Sequence, residues 1–414
     1  MTRSQRIATL AGLLATVALS GCLRVNVHGD PEAWAERMAD STNPAPLRVA
    51  TYNTSLYDDT EGGLVRQLQA GDDDARRIAA VLQRVRPDVV LLNEFDYDPA
   101  ERAAGLFQSD YLEVPQPGGG DPLHYPYRYL APVNTGVPSG LDLDRNGEAG
   151  GDGRNRGNDA WGYGLHPGQY GMLVLSRYPI ERAGVRTFQH LKWSALPGAC
   201  QPRDPATGAA WYPPAIWSQL RLSSKSHWDV PIATPLGTVH LLAAHPTPPV
   251  FDGAENRNGL RNFDEIRLWA EYIGHGANEW LCDDRGRCGG LPADARFVLV
   301  GDYNADPDDG DGEPGAIAQL LDHPRVNAEF VPRSAGAPRR AAQRGLPRDG
   351  DVATHTGDFG PNGGTLRLDY VLPSDNLRVR DGGVFWPAEG ETDAAIAGAS
   401  DHHLVWLDLV APAR

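Results

Sequence analysis

The sequence predicts a mixed α and β fold in one large domain. Residues 47–53 and 88–93 have the short, apolar composition of strands, and an amphipathic helix separates them. Further apolar runs of strand length recur as far as residue 410, and no linker composition interrupts the chain after residue 46. Strands that alternate with helices in this way build layers in which helices cover sheets.

The first strand–helix–strand unit places two polar side chains at strand ends. Asp72 to Asp74 offer N-caps for the helix, and Pro87 ends it. Its apolar residues recur at helical spacing, at Ile78, Val81, Leu82 and Val85. The flanking strands lead into Asn53 and Glu94. If these strands are parallel neighbours, the two side chains meet at one edge of the sheet.

The later chain continues the pattern. Buried strands are predicted at residues 171–176, 237–244, 297–300, 368–372 and 404–410, and a helix over 263–280 with Asn262 as its cap. Residues 216–222 alternate as a strand does. His245 follows one strand, Asp302 and Asn304 follow another, and Asp369 lies inside a third.

The N-terminus has the features of a targeting segment. Residues 7–19 are apolar but too short to span a bilayer. The following Leu19-Ser20-Gly21-Cys22 resembles a bacterial lipoprotein signal, which predicts a lipid on Cys22; an ordinary secretion signal is the alternative. Leu23, which is not acidic, predicts the outer membrane of a Gram-negative cell over inner-membrane retention. Residues 22–45 are predicted to be a tether to a folded domain at 46–412.

Two further segments have spacings typical of a disulfide and of a calcium-binding loop. Cys282 and Cys288 flank five polar residues and predict a disulfide in an oxidising compartment; zinc is the weaker alternative because no histidine is near. Asp142, Asp144 and Asn146 have the opening spacing of a calcium-binding loop, but its twelfth position is Gly153 instead of Glu. Structural Ca²⁺ and a plain polar insertion both stay open there.

Composition limits the class of substrate. The formal net charge is −16, so the chain gains nothing from general attraction to nucleic acid. A polyanionic substrate would therefore need a local basic patch or metal ions.

Polar residues at strand ends recur along the whole chain. A single one is most often a cap or a solvated side chain. Their recurrence on six strands indicates a site that combines carboxylates, amides and histidines. The set is Asn53, Glu94, His245, Asp302, Asn304, Asp369, Asp401 and His402.

Seven motifs occur in the order found in one enzyme superfamily. They are T-Y-N (51–53), L-N-E (92–94), G-M-L-V-L-S-R (171–177), A-H-P (244–246), G-D-Y-N (301–304), R-L-D-Y-V (367–371) and S-D-H (400–402). Together they resemble the endonuclease/exonuclease/phosphatase superfamily, which includes pancreatic-type deoxyribonucleases and sphingomyelinases. One departure is Asn93, where the family usually has Gln. The resemblance implies an α+β fold, a four-layer α/β/β/α sandwich of two mixed sheets with helices outside.

The same resemblance implies roles for the site residues. Glu94 is expected to be the main ligand of Mg²⁺ or Mn²⁺, and Asn53 and Asp401 to complete or orient that site. Asp302 is expected to activate the attacking water, and Asn304 to donate to a phosphate oxygen. His402 is expected to contact the phosphate, with Asp369 holding its ring. His245 is either the acid for the leaving group or only a hydrogen-bond donor to phosphate.

These residues predict a metal-dependent phosphoesterase that cleaves phosphodiester bonds, as nucleases do. A phosphatase or phospholipase acting on small or lipid phosphoesters is the alternative. A non-catalytic surface-binding module on the same fold is a third hypothesis, which the retention of Glu94, Asp302 and His402 disfavours. The expected partners are the phosphoester and, through the lipid, the membrane. No protein partner is implied, and a monomer is expected.

Overall fold

The computed structural model describes residues 45–274 and 278–412, and from Ala45 onward the described chain forms one compact unit. The predicted signal peptide, Cys22 and the tether up to residue 44 lie outside the described residues. No helix within the described ranges is long and apolar enough to cross a membrane.

The described chain contains strands from one end to the other. In chain order they are β1 (Leu47–Leu56), β2 (Val89–Phe95), β3 (Tyr127–Tyr129), β4 (Met172–Ser176), β5 (Arg186–Thr187), β6 (Trp228–Thr234), β7 (Gly237–Ala243), β8 (Arg296–Asp302), β9 (Gly357–Asp358), β10 (Thr365–Leu366), β11 (Asp369–Pro373), β12 (Arg378–Val384) and β13 (Val405–Val410).

Two helices, α2 and α6, are longer than ten residues, and the other described helices are short. In chain order they are α1 (Gly63–Ala70), α2 (Asp73–Val85), α3 (Arg102–Leu106), α4 (Gly153–Asn158), α5 (Pro214–Trp217), α6 (Arg257–Ile273), α7 (Ala318–Leu321), α8 (Gly336–Arg344) and α9 (Gly360–Gly363). As predicted, Asp72 caps α2, its side chain accepting from the Ala75 N–H at 2.7 Å.

The strands form two large mixed sheets and one small pair. The six-stranded sheet has the order β12-β13-β1-β2-β4-β3, and the five-stranded sheet the order β11-β8-β7-β6-β5. β1 and β2 are parallel neighbours with Asn53 opposite Asn93, which meets the condition for their polar ends to lie at one edge, and β7 pairs in parallel with β8. The remaining pairings are antiparallel, including the small β9–β10 pair.

Three apolar cores separate four layers. One lies between α2 and the six-stranded sheet, where Ile78 packs with Tyr52 and Leu92. The second fills the space between the two sheets, and the third lies between the five-stranded sheet and α6. Alternate residues of the central strands β1, β2, β4, β7, β8 and β11 supply opposite cores, which is the period expected for strands buried on both faces. The predicted four-layer α/β/β/α sandwich is confirmed.

The side chains that face the space between the two sheets become polar at one end of the sandwich. Val49 and Val300 belong to the core between the sheets. Side chains two residues apart share a face, so Asn53, Asn93 and Asp302 continue the inner rows of β1, β2 and β8 beyond the apolar part. The sandwich therefore ends in a buried polar cluster.

Two predicted elements are wrong in extent or type. The helix predicted over 263–280 is α6, which begins at Arg257 and ends at Ile273. Asn262 is consequently not its cap; its amide lies inside the fold and donates to the carbonyls of Thr247 and Tyr303 at 2.8 and 2.9 Å. The alternation at 216–222 is not a strand either, because Pro214 starts the short helix α5.

A buried histidine makes the fold sensitive to acid. His227 has its Nε2–H directed at the Glu265 carbonyl, 2.9 Å away, and its Nδ1 beside the Ser223 hydroxyl. Burial lowers the pKa of His227 from 6.5 to about 4. The unfolded chain takes up this proton first, so the contribution to stability is complete above pH 6.5 and is lost as pH falls towards 4.

We expect this histidine to contribute about 3 kcal/mol of the acid-dependent loss of unfolding free energy. Urea unfolding at several pH values, compared between the wild type and His227→Gln, measures the loss. The variant should show a shallower decrease below pH 6.5. An identical pH profile in the two proteins would assign the acid sensitivity to other groups.

Candidate active site

The ends of three strands and the segment before β13 converge on the carboxylate of Asp302. Its Oδ2 lies 3.0 Å from Asn53 Nδ2, 3.4 Å from His245 Nε2 and 3.6 Å from His402 Nε2. Asp302 is only 1% exposed. The structure thus brings together side chains that are up to 349 positions apart in the chain, as the strand-end pattern predicted.

Unusual backbone conformations aim two of these side chains. Glu94 and Asn304 have positive φ angles, 54° and 50°, which are uncommon for residues other than glycine and cluster at functional sites. The Asn304 N–H donates to Asp302 Oδ1 at 2.9 Å, and its side-chain amide donates to the Pro246 carbonyl at 3.1 Å. A Cβ on Gly301, whose φ is 150°, would lie 2.0 Å from the Ala244 carbonyl oxygen, so only glycine fits there.

The Asn53 amide bridges two carboxylates. Its Nδ2 donates to Glu94 Oε1 at 3.1 Å as well as to Asp302. The Glu94 side chain is 23% exposed, whereas that of Asp302 is 2% exposed. His245 Nε2 lies 4.0 Å from Glu94 Oε1. Glu94 is therefore the carboxylate of this pair that is open to solvent.

His402 is held between two buried acids. Its Nδ1 lies 2.8 Å from Asp369 Oδ2, which also accepts from the Thr356 hydroxyl at 2.7 Å. Burial disfavours a charge on His402, but Asp369 and Asp302 outweigh burial and raise its pKa well above the usual value. Burial raises the pKa of Asp369 to about 6 even though His402 opposes the shift. His402 therefore favours the charged form.

Asp401 lies at the rim of this cluster. It is exposed, and its Oδ1 accepts from Ser55 and Ser400 at 3.5 and 3.4 Å. Within the described residues it shares no hydrogen bond with Asn53 or Glu94. The neighbouring His403 stacks on Trp386, with 3.8 Å between the ring centroids.

Within the cluster around Asp302, two groups of side chains could hold a divalent cation. Glu94, Asn53 and Asp401 offer oxygen ligands of the kind that Mg²⁺ prefers, and Glu94 is open to solvent. Asp302, Asp369 and His402 are also close enough to share an ion. In that second group, however, His402 is hydrogen-bonded to Asp369 and favours the cationic form, which is not a metal ligand. The donor chemistry therefore fits a cation best at Glu94.

Asn93 has a role that sequence reasoning missed. Its Oδ1 accepts from the Asp302 N–H, and its Nδ2 donates to the Ala244 carbonyl, both at 3.3 Å. Asn93 is fully buried and joins β2 to the opposite sheet at the level of the cluster. Asn93, which stands where the family usually has Gln, thus helps to position Asp302.

In the structure Asp159 lies beside Asp142 and Asp144 of the predicted calcium loop, whereas the Asn146 side chain is hydrogen-bonded elsewhere. Carboxylate oxygens of Asp142, Asp144 and the buried Asp159 lie within 4.8 Å of one another. The Asn146 side chain instead accepts from the Glu148 N–H at 2.9 Å. The three carboxylates also accept N–H bonds from the loop itself, so the loop is compatible with either interpretation. Calcium binding stays a prediction.

If calcium binds this loop, adding it should raise the melting temperature by a few degrees, because an ion that binds only the folded state stabilises it. Differential scanning fluorimetry over a CaCl₂ titration measures the shift. Asp159→Asn should abolish the shift, and Asp152→Asn, in the same loop without a side-chain capping bond, should retain it. A flat titration of the wild type would remove calcium from the description of this loop.

The cysteines outside the site are arranged as the spacing predicted. Cys282 and Cys288 form a disulfide, which argues against zinc there, and Cys200 is free and half-buried.

Comparison with known proteins identifies the family of this chain. Residues 50–402 match the model of the Endonuclease/Exonuclease/phosphatase family. No curated protein matches the chain. Similar solved structures include an endonuclease/exonuclease/phosphatase from Beutenbergia cavernae DSM 12333, with 20% identity, coverage of 89% of this chain and 72% of that one, and a TM-score of 0.47.

Two further solved structures are similar in the same range. Sphingomyelinase C from Streptomyces griseocarneus has 20% identity, coverage of 88% and 99%, and a TM-score of 0.43. A mannosyl-6-phosphatase from Bacteroides thetaiotaomicron VPI-5482 has 14% identity, coverage of 88% and 99%, and a TM-score of 0.40. At these identities and TM-scores the similarities carry no argument about the substrate. The family match spans most of the chain. The chain therefore belongs to the endonuclease/exonuclease/phosphatase family of metal-dependent phosphoester hydrolases.

Proposed function

We propose that the protein is a Mg²⁺-dependent phosphodiesterase that hydrolyses nuclease-type phosphodiester bonds by in-line attack of an activated water. The observation that carries the proposal is the buried Asp302 carboxylate, which faces two histidines and an amide at the end of the sandwich. A base, a cationic hydrogen-bond donor and an open carboxylate within one cluster are the groups that phosphoester hydrolysis requires.

Asp302 is suited to accept the proton of the attacking water. Burial opposes its charge, but His402 and His245 outweigh burial and hold the pKa of Asp302 well below its usual value. The carboxylate is thus ionised at neutral pH and can accept a hydrogen bond from the attacking water and orient it. Its lowered pKa makes it a weak base by itself, so the proton transfer relies on a cation that acidifies the water. A divalent cation, Mg²⁺ or Mn²⁺, held by Glu94, Asn53 and Asp401 would stabilise negative charge on the phosphate and the leaving oxygen.

Three further side chains have groups to offer the phosphate. His402 is fixed by Asp369 and carries its positive charge next to Asp302. The side-chain amide of Asn304 donates one hydrogen to the Pro246 carbonyl, and its second hydrogen is available for a phosphate oxygen. Burial and the nearby Lys225 lower the pKa of His245, which favours a hydrogen-bond donor over the acid for the leaving group.

A cavity beside Asp401 supports the alternative of a small or lipid phosphoester. It measures about 220 Å³, and Arg339, Arg340, Trp386 and His403 are among its lining residues. A headgroup or sugar that extends beyond the scissile phosphate could occupy it. Arg340 and Arg339 are already paired with Asp358 and Glu389 at 3.3 and 3.5 Å, so the cavity is a weaker indication than the cleft itself.

A substrate panel with added Mg²⁺ or Mn²⁺ tests both proposals. We expect hydrolysis of bis(p-nitrophenyl) phosphate and plasmid DNA that EDTA abolishes. Faster turnover of a phosphomonoester or sphingomyelin would favour the alternative substrate class. Hydrolysis of none of these compounds would favour the non-catalytic binding module.

We also propose that lipid on Cys22 anchors the enzyme to the cell envelope, most simply to an outer membrane. The proposal is supported by Leu19-Ser20-Gly21-Cys22 and the tether that follows. Palmitate labelling of the expressed wild type and its loss in Cys22→Ala would test the anchor. An unlabelled wild type released into the medium would indicate ordinary secretion.

A further inference from the structure

Lys225 is a buried cation without a partner. It lies in the polar segment before β6 and is 6% exposed. Within residues 45–274 and 278–412, its ammonium donates no hydrogen bond and has no carboxylate within 4.0 Å. A buried charge with no partner is unfavourable, so an unpaired buried lysine needs an explanation.

The buried carboxylate of Glu265 fixes the backbone next to Lys225 and the backbone next to His245. Glu265 of α6 is fully buried, and its two oxygens accept from the N–H groups of Ser224 and Thr247, both at 2.6 Å. The Ser224 hydroxyl in turn donates to the His245 carbonyl at 3.4 Å. The segments that carry Lys225 and His245 are therefore fastened to the same helix.

Lys225 faces the acidic cluster without touching it. Burial lowers its pKa, and the charges of Glu265, Glu94 and Asp302 oppose this shift. Its own charge lowers the pKa of His245. The bond from Ser224 to the His245 carbonyl places the backbone of Lys225 beside the strand end that carries His245. In the described residues the ammonium has no ion pair within 4.0 Å and is therefore free for a ligand.

Lys225 belongs to a residue type that is rare in this chain. Only two of the 38 Lys and Arg residues are lysines, Lys192 and Lys225. Lys192 is exposed and donates to the Gln219 carbonyl at 3.0 Å. An ammonium is a compact point charge, whereas the guanidinium of arginine is planar and forked.

We propose that Lys225 binds a non-bridging oxygen of the scissile phosphate and stabilises the negative charge that develops there. The proposal rests on the proposed phosphoester hydrolysis and adds one catalytic residue to it. The anionic phosphate supplies the missing partner of the buried ammonium. Neither Glu94 nor Asp302 lies within 4.0 Å of the ammonium in the described residues, so neither carboxylate is that partner.

Binding of inorganic phosphate tests the proposal without turnover. At fixed Mg²⁺, isothermal titration calorimetry should show phosphate binding to the wild type and about 10- to 100-fold weaker binding to Lys225→Met. Lys192→Met is the matched control and should bind as the wild type does. Without phosphate, Lys225→Met should melt at the same or a higher temperature, because the variant removes an unpaired buried charge.

Turnover supplies a second readout. On bis(p-nitrophenyl) phosphate, Lys225→Met should lose about 10²- to 10³-fold in kcat, and Lys225→Arg should recover part of the loss. A wild type that does not bind phosphate, an unchanged phosphate affinity in Lys225→Met, or a lower melting temperature of that variant without phosphate would overturn the proposal. A wild type that binds phosphate through Lys225 but hydrolyses no phosphoester would instead contradict the proposed function.

Discussion

Replacing Asp302 by asparagine is expected to reduce kcat for bis(p-nitrophenyl) phosphate by about three to four orders of magnitude. Asparagine keeps the shape and can still accept the Asn304 N–H bond, so the site should remain assembled. It cannot accept a proton from water, and it removes the negative charge that His402 and His245 face. The effect should therefore fall on kcat, with little change in KM.

The control for this variant is Asp308→Asn, in the exposed loop that follows the site. Among the described residues, Asp308 shares no hydrogen bond or ion pair with a predicted catalytic residue, so this variant should retain activity. Circular dichroism and melting temperatures of both variants verify that they are folded. An Asp302→Asn variant that turns over at the wild-type rate would refute the assignment of Asp302 as the base.

Strand periodicity explains why so much of the site was visible in the sequence. Asn53, Glu94 and Asp302 each follow or end a short apolar run, and a strand places such residues predictably at its edge. The parallel pairing of β1 with β2 then brings two of them together. The order of the motifs extended this local argument to His245 and His402, which no local pattern could have joined to Asp302.

Residues that act through long-range contacts were not predictable in this way. Lys225 precedes a strand that the sequence reasoning did not identify, and only its partners in space reveal that it is buried near the site. Asp159 joins the calcium loop from beyond a short helix, outside the spacing of the known loop pattern. Asn262 resembles a helix cap in sequence, but α6 begins one and a half turns earlier.

Replacing Glu94 by glutamine is expected to raise the Mg²⁺ concentration that half-activates the enzyme by at least about 100-fold. Glutamine keeps an oxygen for the bond from Asn53 but loses the charge that a hard cation requires. Asp401→Asn should have a smaller effect, because Asp401 lies exposed at the rim. EDTA should abolish the activity of the wild type, and the Mg²⁺ titration should restore it.

The same titration distinguishes the two groups that could hold the cation. If the ion binds at Glu94, Asp369→Asn should lower kcat through the orientation of His402, with the half-activating Mg²⁺ concentration unchanged. If the ion lies between Asp302, Asp369 and His402, that variant should shift the Mg²⁺ requirement and Glu94→Gln should not. The solvent-open Glu94 and the hydrogen bond that already occupies His402 favour the first result, and the second would reassign the metal site.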